Sequence, residues 1–443
     1  MLGPSSVFQF VKIAGPFFFI IWSIWYLGIS RQQVHELARN FRTQRNLFVA
    51  DFLEHEIDGK FNGSAIANLC MSKKWSPGLV MSCDSNHAGI GVVRNAYLHC
   101  IRFAIETGAE LILPPITPRA PENIQDVVSK PAVNLDYFFD TDHLHHVLST
   151  YCPQMKVYDS LDELYDVPGV GNPFVFDMGS FVKEWVNGTV LANPKGWNKN
   201  FRDWLDTQSP PELREYPLRV HLKHTIWVWP TANDTAAVAS SFGRMLRIRQ
   251  DVRRLAASAL FSLAHRFGLN LDPRTRYHPQ SFVGIHLRTE EDITGGDFPD
   301  YLTQAADYFH FLSDCGAPVA YLASGATKTN ITAFAERAED FNVTVVTKGD
   351  ILDAQEMEEL EALTWDQRSL VDYEIMLRAG LVAGVGKSSF AWNLALRRSY
   401  AFGDGPQAVP HPLGDTIAWK DEFTTLYGKH EAREDAMRST IWP

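Results

Sequence analysis

Short apolar runs alternate with amphipathic stretches of helical period through most of this chain, which restricts it to a layered α/β protein with parallel sheets. The pattern is clearest after residue 280, where 282–287, 319–323, 343–347 and 382–385 read as strands. Between and after them 301–313, 331–340, 366–379 and 390–399 read as helices. An earlier unit has the same form: strand 79–83, a turn at Gly89 and Gly91, helix 92–107 and strand 110–113. One long amphipathic helix fits 236–265, because Phe242, Met245, Leu246, Val252, Leu255 and Leu263 recur mostly on one face. The segment 268–280 carries two prolines and little apolar periodicity, so it reads as a linker between two domains. Two doubly wound domains facing each other leave a cleft at the carboxyl ends of their strands.

A chain of 443 residues, 45% hydrophobic and 21% charged, has ample material for packed cores, which excludes disorder and small disulfide scaffolds. Its 41 Lys+Arg against 52 Asp+Glu give a net charge of −11, so a general attraction to nucleic-acid phosphate is not expected. Any anionic ligand has to be held by a local site. The five cysteines, Cys70, Cys83, Cys100, Cys152 and Cys315, include no C-x-x-C pair, which argues against a zinc cluster or a thioredoxin-like motif. An odd number leaves at least one thiol free or paired between chains.

The run from Ile13 to Ile29 is uncharged over 17 residues, with Lys12 before it and Arg31 after it, and is at the short end of what spans a bilayer. Trp22, Trp25 and Tyr26 suit the headgroup boundary. It is expected to stay as an anchor; the other reading is a cleaved signal peptide with Gly28 and Ser30 as the small-x-small site. Arg31, Arg39, Arg42 and Arg45 would place the body in the cytosol by the positive-inside tendency. The sequons at Asn62, Asn187, Asn233, Asn330 and Asn342 all follow the run and point to a lumenal body, the orientation adopted here. The expected order is a cytosolic tail 1–12, an anchor 13–30, a stem 31–76, a first Rossmann-like domain 77–275 on the acceptor side, and a second domain 276–443.

Chemistry concentrates in two places. In strand 282–287, alternation puts His286 and Arg288 together at the carboxyl end, with Glu290, Glu291 and Asp292 in the following loop. Arg288 suits either a salt bridge to one of these acids or a diphosphate, since its planar fork can pair two oxygens. In 384–398 a strand ends at Val385, and Ser388 and Ser389 open a helix whose first amides could receive phosphate oxygens or be merely capped. A P-loop would need glycine where Leu381 stands. Asp140 and Asp142 read as helix-start residues rather than a metal-binding pair.

HLRTEED at 286–292, VAYLASG followed by VTVVTKGDIL, LVDYEIMLRAGLVAGV at 370–385 and YFFDTDHLHHVL together resemble the GDP-fucose protein O-fucosyltransferase superfamily, in particular its plant-type branch. The resemblance covers about 80–398. It implies a GT-B fold, with two Rossmann-like domains facing a cleft, and inverting transfer of fucose from GDP-fucose to a hydroxyl of a lumenal protein or glycan. No metal or other cofactor is implied, and the membrane is a partner only through the anchor, in the Golgi or endoplasmic reticulum. Carried over by position, Arg288 holds the β-phosphate and stabilises departing GDP. His286, Asp292, Ser388, Ser389, Phe390, Gly89 and Arg94 belong to the donor site. By their place in the same loop, Glu290 and Glu291 are the candidate general bases, Glu290 first. Where the family has a glycine pair followed by asparagine, glutamine and arginine, this chain keeps Gly89, Gly91 and Arg94 but has Val92 and Val93 in place of the amides. Transfer of rhamnose or another sugar, and a non-catalytic membrane-anchored sugar-binding role, stand as alternatives.

Overall fold

The structure, a computed structural model, describes residues 31–84, 86–87, 89–120, 122–290, 298–406 and 414–443. The tail 1–12, the apolar run, Glu291 and Asp292 lie outside these residues. Among the described residues no helix is long and apolar enough to cross a membrane.

Two sheets organise the chain. The first contains β1 (Leu79–Cys83), β2 (Glu110–Ile112), β3 (Val157–Tyr158), β4 (Phe174–Asp177) and β5 (Leu218–Lys223). They lie in the order β3-β2-β1-β5-β4, every neighbouring pair parallel. The second contains β6 (Val283–His286), β7 (Val319–Ala323), β8 (Thr344–Val346), β9 (Leu381–Val385), β10 (Ile417–Lys420) and β11 (Thr424–Tyr427). Their order is β8-β7-β6-β9-β11-β10, parallel except for β10 at the edge. Strands β1, β6 and β7 are buried along their whole length, the burial expected of strands inside parallel sheets.

In both sheets the chain winds outward from a central strand in one direction and later returns on that strand's other side. Switch points therefore open between β1 and β5 and between β6 and β9, at the carboxyl ends of the strands. The helices used below are α1 (Arg31–Glu54), α2 (Ile90–Thr107), α3 (Gln250–Phe267), α4 (Trp365–Leu377), α5 (Ser389–Phe402) and α6 (Ala432–Thr440).

The long helix expected over 236–265 is interrupted. Ala236–Ser241 is followed by a 3-10 turn, Phe242–Met245, and regular helix resumes only in α3. A tertiary partner overrides the helical period: Ile248 bridges Phe139, the Asp140 amide donates to the Arg247 carbonyl at 2.8 Å, and the Arg247 guanidinium binds the Asp140 carboxylate. Asp140 also caps the Thr141–Tyr151 helix by accepting from the His143 amide at 2.9 Å, in line with its reading as an N-cap.

The stretch expected to be a stem is built into the body. Helix α1 packs along α3, and Phe52, Ile57, Ile66 and Cys70 are buried in the main core. Glu56 lies 2.7 Å from Arg253 of α3 and 2.9 Å from Arg397 of α5. Burial works to raise its carboxyl, but the charges of Arg253, Arg397 and Arg378 outweigh that and hold it at about 2. A disulfide joins Cys70 to Cys152, a second joins Cys83 to Cys100, and Cys315 is the free thiol.

Candidate active site

His286 closes β6, and across the switch point β9 runs into a tight turn at Gly386 and Lys387 before α5 begins. A side chain on Gly386 would put its Cβ 2.6 Å from Ala418, so the turn admits only glycine. Ser388 caps α5 by accepting from the Ala391 amide, and its Oγ lies 3.1 Å from His286 Nε2. The amides of Ser389 and Phe390 stand in the first turn, where helix geometry gives them no intrahelical acceptor. Phe390 stacks on His286 with ring centroids 4.5 Å apart. Burial, followed by the nearby Arg288 charge, pulls the His286 imidazole down to about 3, so it is neutral.

Helix α2 meets this place from the first sheet. Its N-cap is Gly89, in extended conformation and without a side-chain cap. Gly91 lies directly against the Ser389–Phe390 peptide, close enough that a Cβ there would overlap it. The amino ends of two long helices thus converge on one opening, each contributing partial positive charge.

That opening is a cleft of about 620 Å³. Six cations line it, Arg119, Arg288, Lys348, Arg368, Lys387 and Arg433, against three carboxylates, Glu290, Asp366 and Asp372. A chain of net charge −11 therefore keeps a locally positive cleft. The acids hold the cations in place: Arg119 lies 3.2 Å from Asp366, Lys348 lies 2.5 Å from Asp372, and Arg288 pairs with Glu290. Glu290 also accepts from the Gly325 amide, and a Cβ on Gly325 would crowd it at 3.0 Å. Gln304 clamps the Arg288 backbone, accepting from its amide at 2.9 Å and donating to its carbonyl at 2.6 Å. Tyr321 donates to Asp372 at 2.6 Å, and burial raises the Asp372 carboxyl against the pull of Lys348.

Gly89, His286, Arg288, Glu290, Ser388, Ser389 and Phe390 are brought together on the cleft wall. Asp292 is outside the described residues. Arg94 is not in the lining: its guanidinium donates to the carbonyls of Gly243, Trp442 and Pro443 and to Asn393 Oδ1, between 2.7 and 2.9 Å. Its place on α2, one turn beyond Gly91, turns it toward α5 and makes it a strut rather than a donor contact. Asn393 also donates to the Ser389 carbonyl at 2.7 Å, and Asn95 donates to Asn393 and to the Gly91 carbonyl.

Sequence reasoning missed Lys348, Asp372, Trp365, Arg119 and Lys387, which also line the cleft. Lys387 stands in the 384–398 stretch, directly before the Ser388 and Ser389 singled out there. Lys348 and Asp372 lie inside segments used for the resemblance, but their pairing is a product of the fold. Among the described residues no group of three or more His, Cys, Asp and Glu is arranged to hold a metal ion.

No protein-family model and no curated protein matches the chain. Among solved structures it is similar to POFUT1 in complex with GDP-fucose, at 14% identity, covering 81% of this chain and 100% of that one, with a TM-score of 0.44. It is also similar to the fucosyltransferase NodZ from Bradyrhizobium, at 13% identity, 74% and 93% coverage and a TM-score of 0.35. FUT1 of Arabidopsis thaliana in complex with GDP is 10% identical, with 77% and 73% coverage and a TM-score of 0.37.

Proposed function

We propose that this chain is an inverting glycosyltransferase of GT-B architecture that transfers fucose from GDP-fucose to a hydroxyl of a lumenal protein or glycan, without a metal. One observation carries the reading: at the switch point of the second sheet, Arg288, neutral His286 and the Ser389 and Phe390 amides in the first turn of α5 converge in a cleft with more cations than carboxylates on its lining. A diphosphate is the ligand such a place suits, because helix amides and a planar guanidinium both present donors to phosphate oxygens. As the anomeric bond breaks, charge builds on the β-phosphate, where a fixed cation lowers the barrier. The choice of GDP-fucose rests on the resemblance of the HLR, VDY and SSF segments.

Two exposed sequon asparagines, Asn187 and Asn342, sit in left-handed turns, and the two disulfides suit an oxidising compartment; both support a lumenal body. An N-glycosidase should raise the gel mobility of the cell-made protein, whereas unchanged mobility would move the body to the cytosol.

The test of the donor is a thermal-shift series with GDP-, UDP- and CMP-sugars in excess chelator. GDP-fucose should raise the melting temperature most. A shift given only by a UDP- or CMP-sugar, or one that needs manganese, would replace this reading. A non-catalytic sugar-binding role has one observation in its favour, since Glu290 offsets the Arg288 charge; binding of GDP-fucose without release of GDP would establish it.

A further inference from the structure

The first sheet has a switch point of its own, between β1 and β5, and five side chains that the donor site does not use gather there. Asp84 follows β1, and its Oδ1 lies 3.2 Å from Nε2 of His221 on β5. The other nitrogen of His221, Nδ1, lies 3.1 Å from Ser82 Oγ. Asp84 Oδ2 accepts from the backbone amide of His224 at 3.0 Å, and His224 Nδ1 lies 2.8 Å from Oδ1 of Asp177 at the end of β4. Both nitrogens of His221 are thus engaged. His224 is different: its Nε2 has no hydrogen bond among the described residues, and its side chain is 69% exposed.

His224 is held rather than loose. Its backbone is left-handed, φ 57°, an unfavourable conformation for a residue with a side chain, and Asp84 fixes it there through the amide. With Asp177 accepting from Nδ1–H, the imidazole keeps the tautomer whose lone pair is on the outward Nε2. The His224 bond in turn holds the Asp177 carboxyl below its ordinary range.

These residues are not in the lining of the donor cleft; they stand at the carboxyl edge of the first sheet, from which the chain runs on to it. Asp84 stands five positions before Gly89 on the cleft wall, a span of at most about 18 Å. Beyond His224 the chain reaches Trp227, which packs against the cluster containing Ala391 and Trp392 of α5. Glu290, by contrast, is committed to Arg288 and to the Gly325 amide.

Resting on the glycosyl-transfer reading above, we infer that His224, oriented by Asp177, is the general base that takes the proton of the acceptor hydroxyl. The hydroxyl proton passes to His224 Nε2 as the oxygen bonds to the anomeric carbon. The bond from that carbon to the β-phosphate oxygen breaks with its electron pair leaving on GDP, and His224 then returns its proton to water.

The experiment measures GDP release from GDP-fucose by the full chain, with water or glycerol as the hydroxyl acceptor and with sodium azide as a nucleophile that has no proton to lose. His224→Gln should lower hydroxyl-dependent release about 100-fold. Azide should restore turnover with formation of fucosyl azide, and calorimetry should find GDP affinity within twofold of the parent. Asp177→Asn, which leaves the imidazole in place, should lower release about tenfold and serves if His224→Gln does not fold. Hydroxyl-dependent turnover within twofold of the parent in either folded variant, or no rescue by azide, would overturn the inference. Parent protein that releases no GDP from GDP-fucose would overturn the donor reading itself, and this inference with it.

Discussion

A Cβ built on Gly91 would stand 2.6 Å from the carbonyl carbon of Ser389, so the helices that open on the cleft from opposite sheets touch there backbone to backbone. Gly91→Ala has to push the first turn of α5 away from its place beside His286. Overpacking of this kind costs about 1–3 kcal/mol, and GDP affinity should fall at least tenfold because the Ser389 and Phe390 amides move. Calorimetry with GDP, beside a melting curve, checks both; unaltered affinity in a folded Gly91→Ala protein would remove α5 from the donor site.

Replacing Arg288 with lysine keeps the charge but loses the two-pronged donor and its match to Glu290. Turnover should fall roughly 100-fold while donor affinity changes less, since the contact matters most as charge develops. Glu290→Gln can still accept from the Gly325 amide, so it should cost only about tenfold, through a less firmly held Arg288. Steady-state kinetics on the two variants separate the roles, and normal turnover in Arg288→Lys would make the ion pair purely structural.

Acidification should weaken the fold from near neutrality downward. His286 and His99 are buried and both held at about 3, far below the ordinary histidine value of 6.5. Between those limits the unfolded chain binds protons that the folded chain refuses, so stability falls as pH falls, by up to about 1.4 kcal/mol per pH unit for each histidine. Glu56, held at about 2, adds a loss of the same sign below its ordinary value of 4.5. Urea unfolding at pH 7 and pH 5 measures the slope, and His286→Asn should flatten it; equal stability at the two pH values would mean that these histidines are not buried neutral.

The Cys70–Cys152 bond closes 82 residues, a loop whose closure entropy corresponds to roughly 4.5 kcal/mol. Reduction should therefore lower the melting temperature markedly and free the junction between the residues around Ser64–Met71 and the Thr141–Tyr151 helix. Mass spectrometry of unreduced peptides should recover Cys70–Cys152 and Cys83–Cys100, with only Cys315 alkylated before reduction. Alkylation of all five thiols at the outset would contradict the pairing.

The second sheet was legible because β6, β7 and β9 are covered on both faces and so read as nearly continuous apolar runs. Strand β5 escaped. Leu218, Val220 and Leu222 alternate there with Arg219, His221 and Lys223, a sound strand signal whose polar members occupy a half-open face. The break ahead of α3 could not be read locally, since its cause, Asp140, lies 107 residues from Arg247. His286, Arg288 and Ser388 were visible because a strand end and a helix start announce themselves in a few residues. Arg94 looked like their companion for the same local reason, and only the packing of α2 on α5 shows that its hydrogen bonds are spent on carbonyls. His224 and Asp177, 47 residues apart, meet through sheet register, which no short motif encodes.

The contacts of Arg94, Asn95 and Asn393 at the base of the cleft bear on how a ligand gets in. These buried amide and guanidinium bonds rivet α2 to α5, so opening the sheets like jaws would strand several polar groups without partners. The cleft is a fixed slot. On the donor reading proposed above, GDP should enter it by displacing water and turning side chains, associate in a single phase without a slow closing step, and leave the radius of gyration measured by solution scattering unchanged.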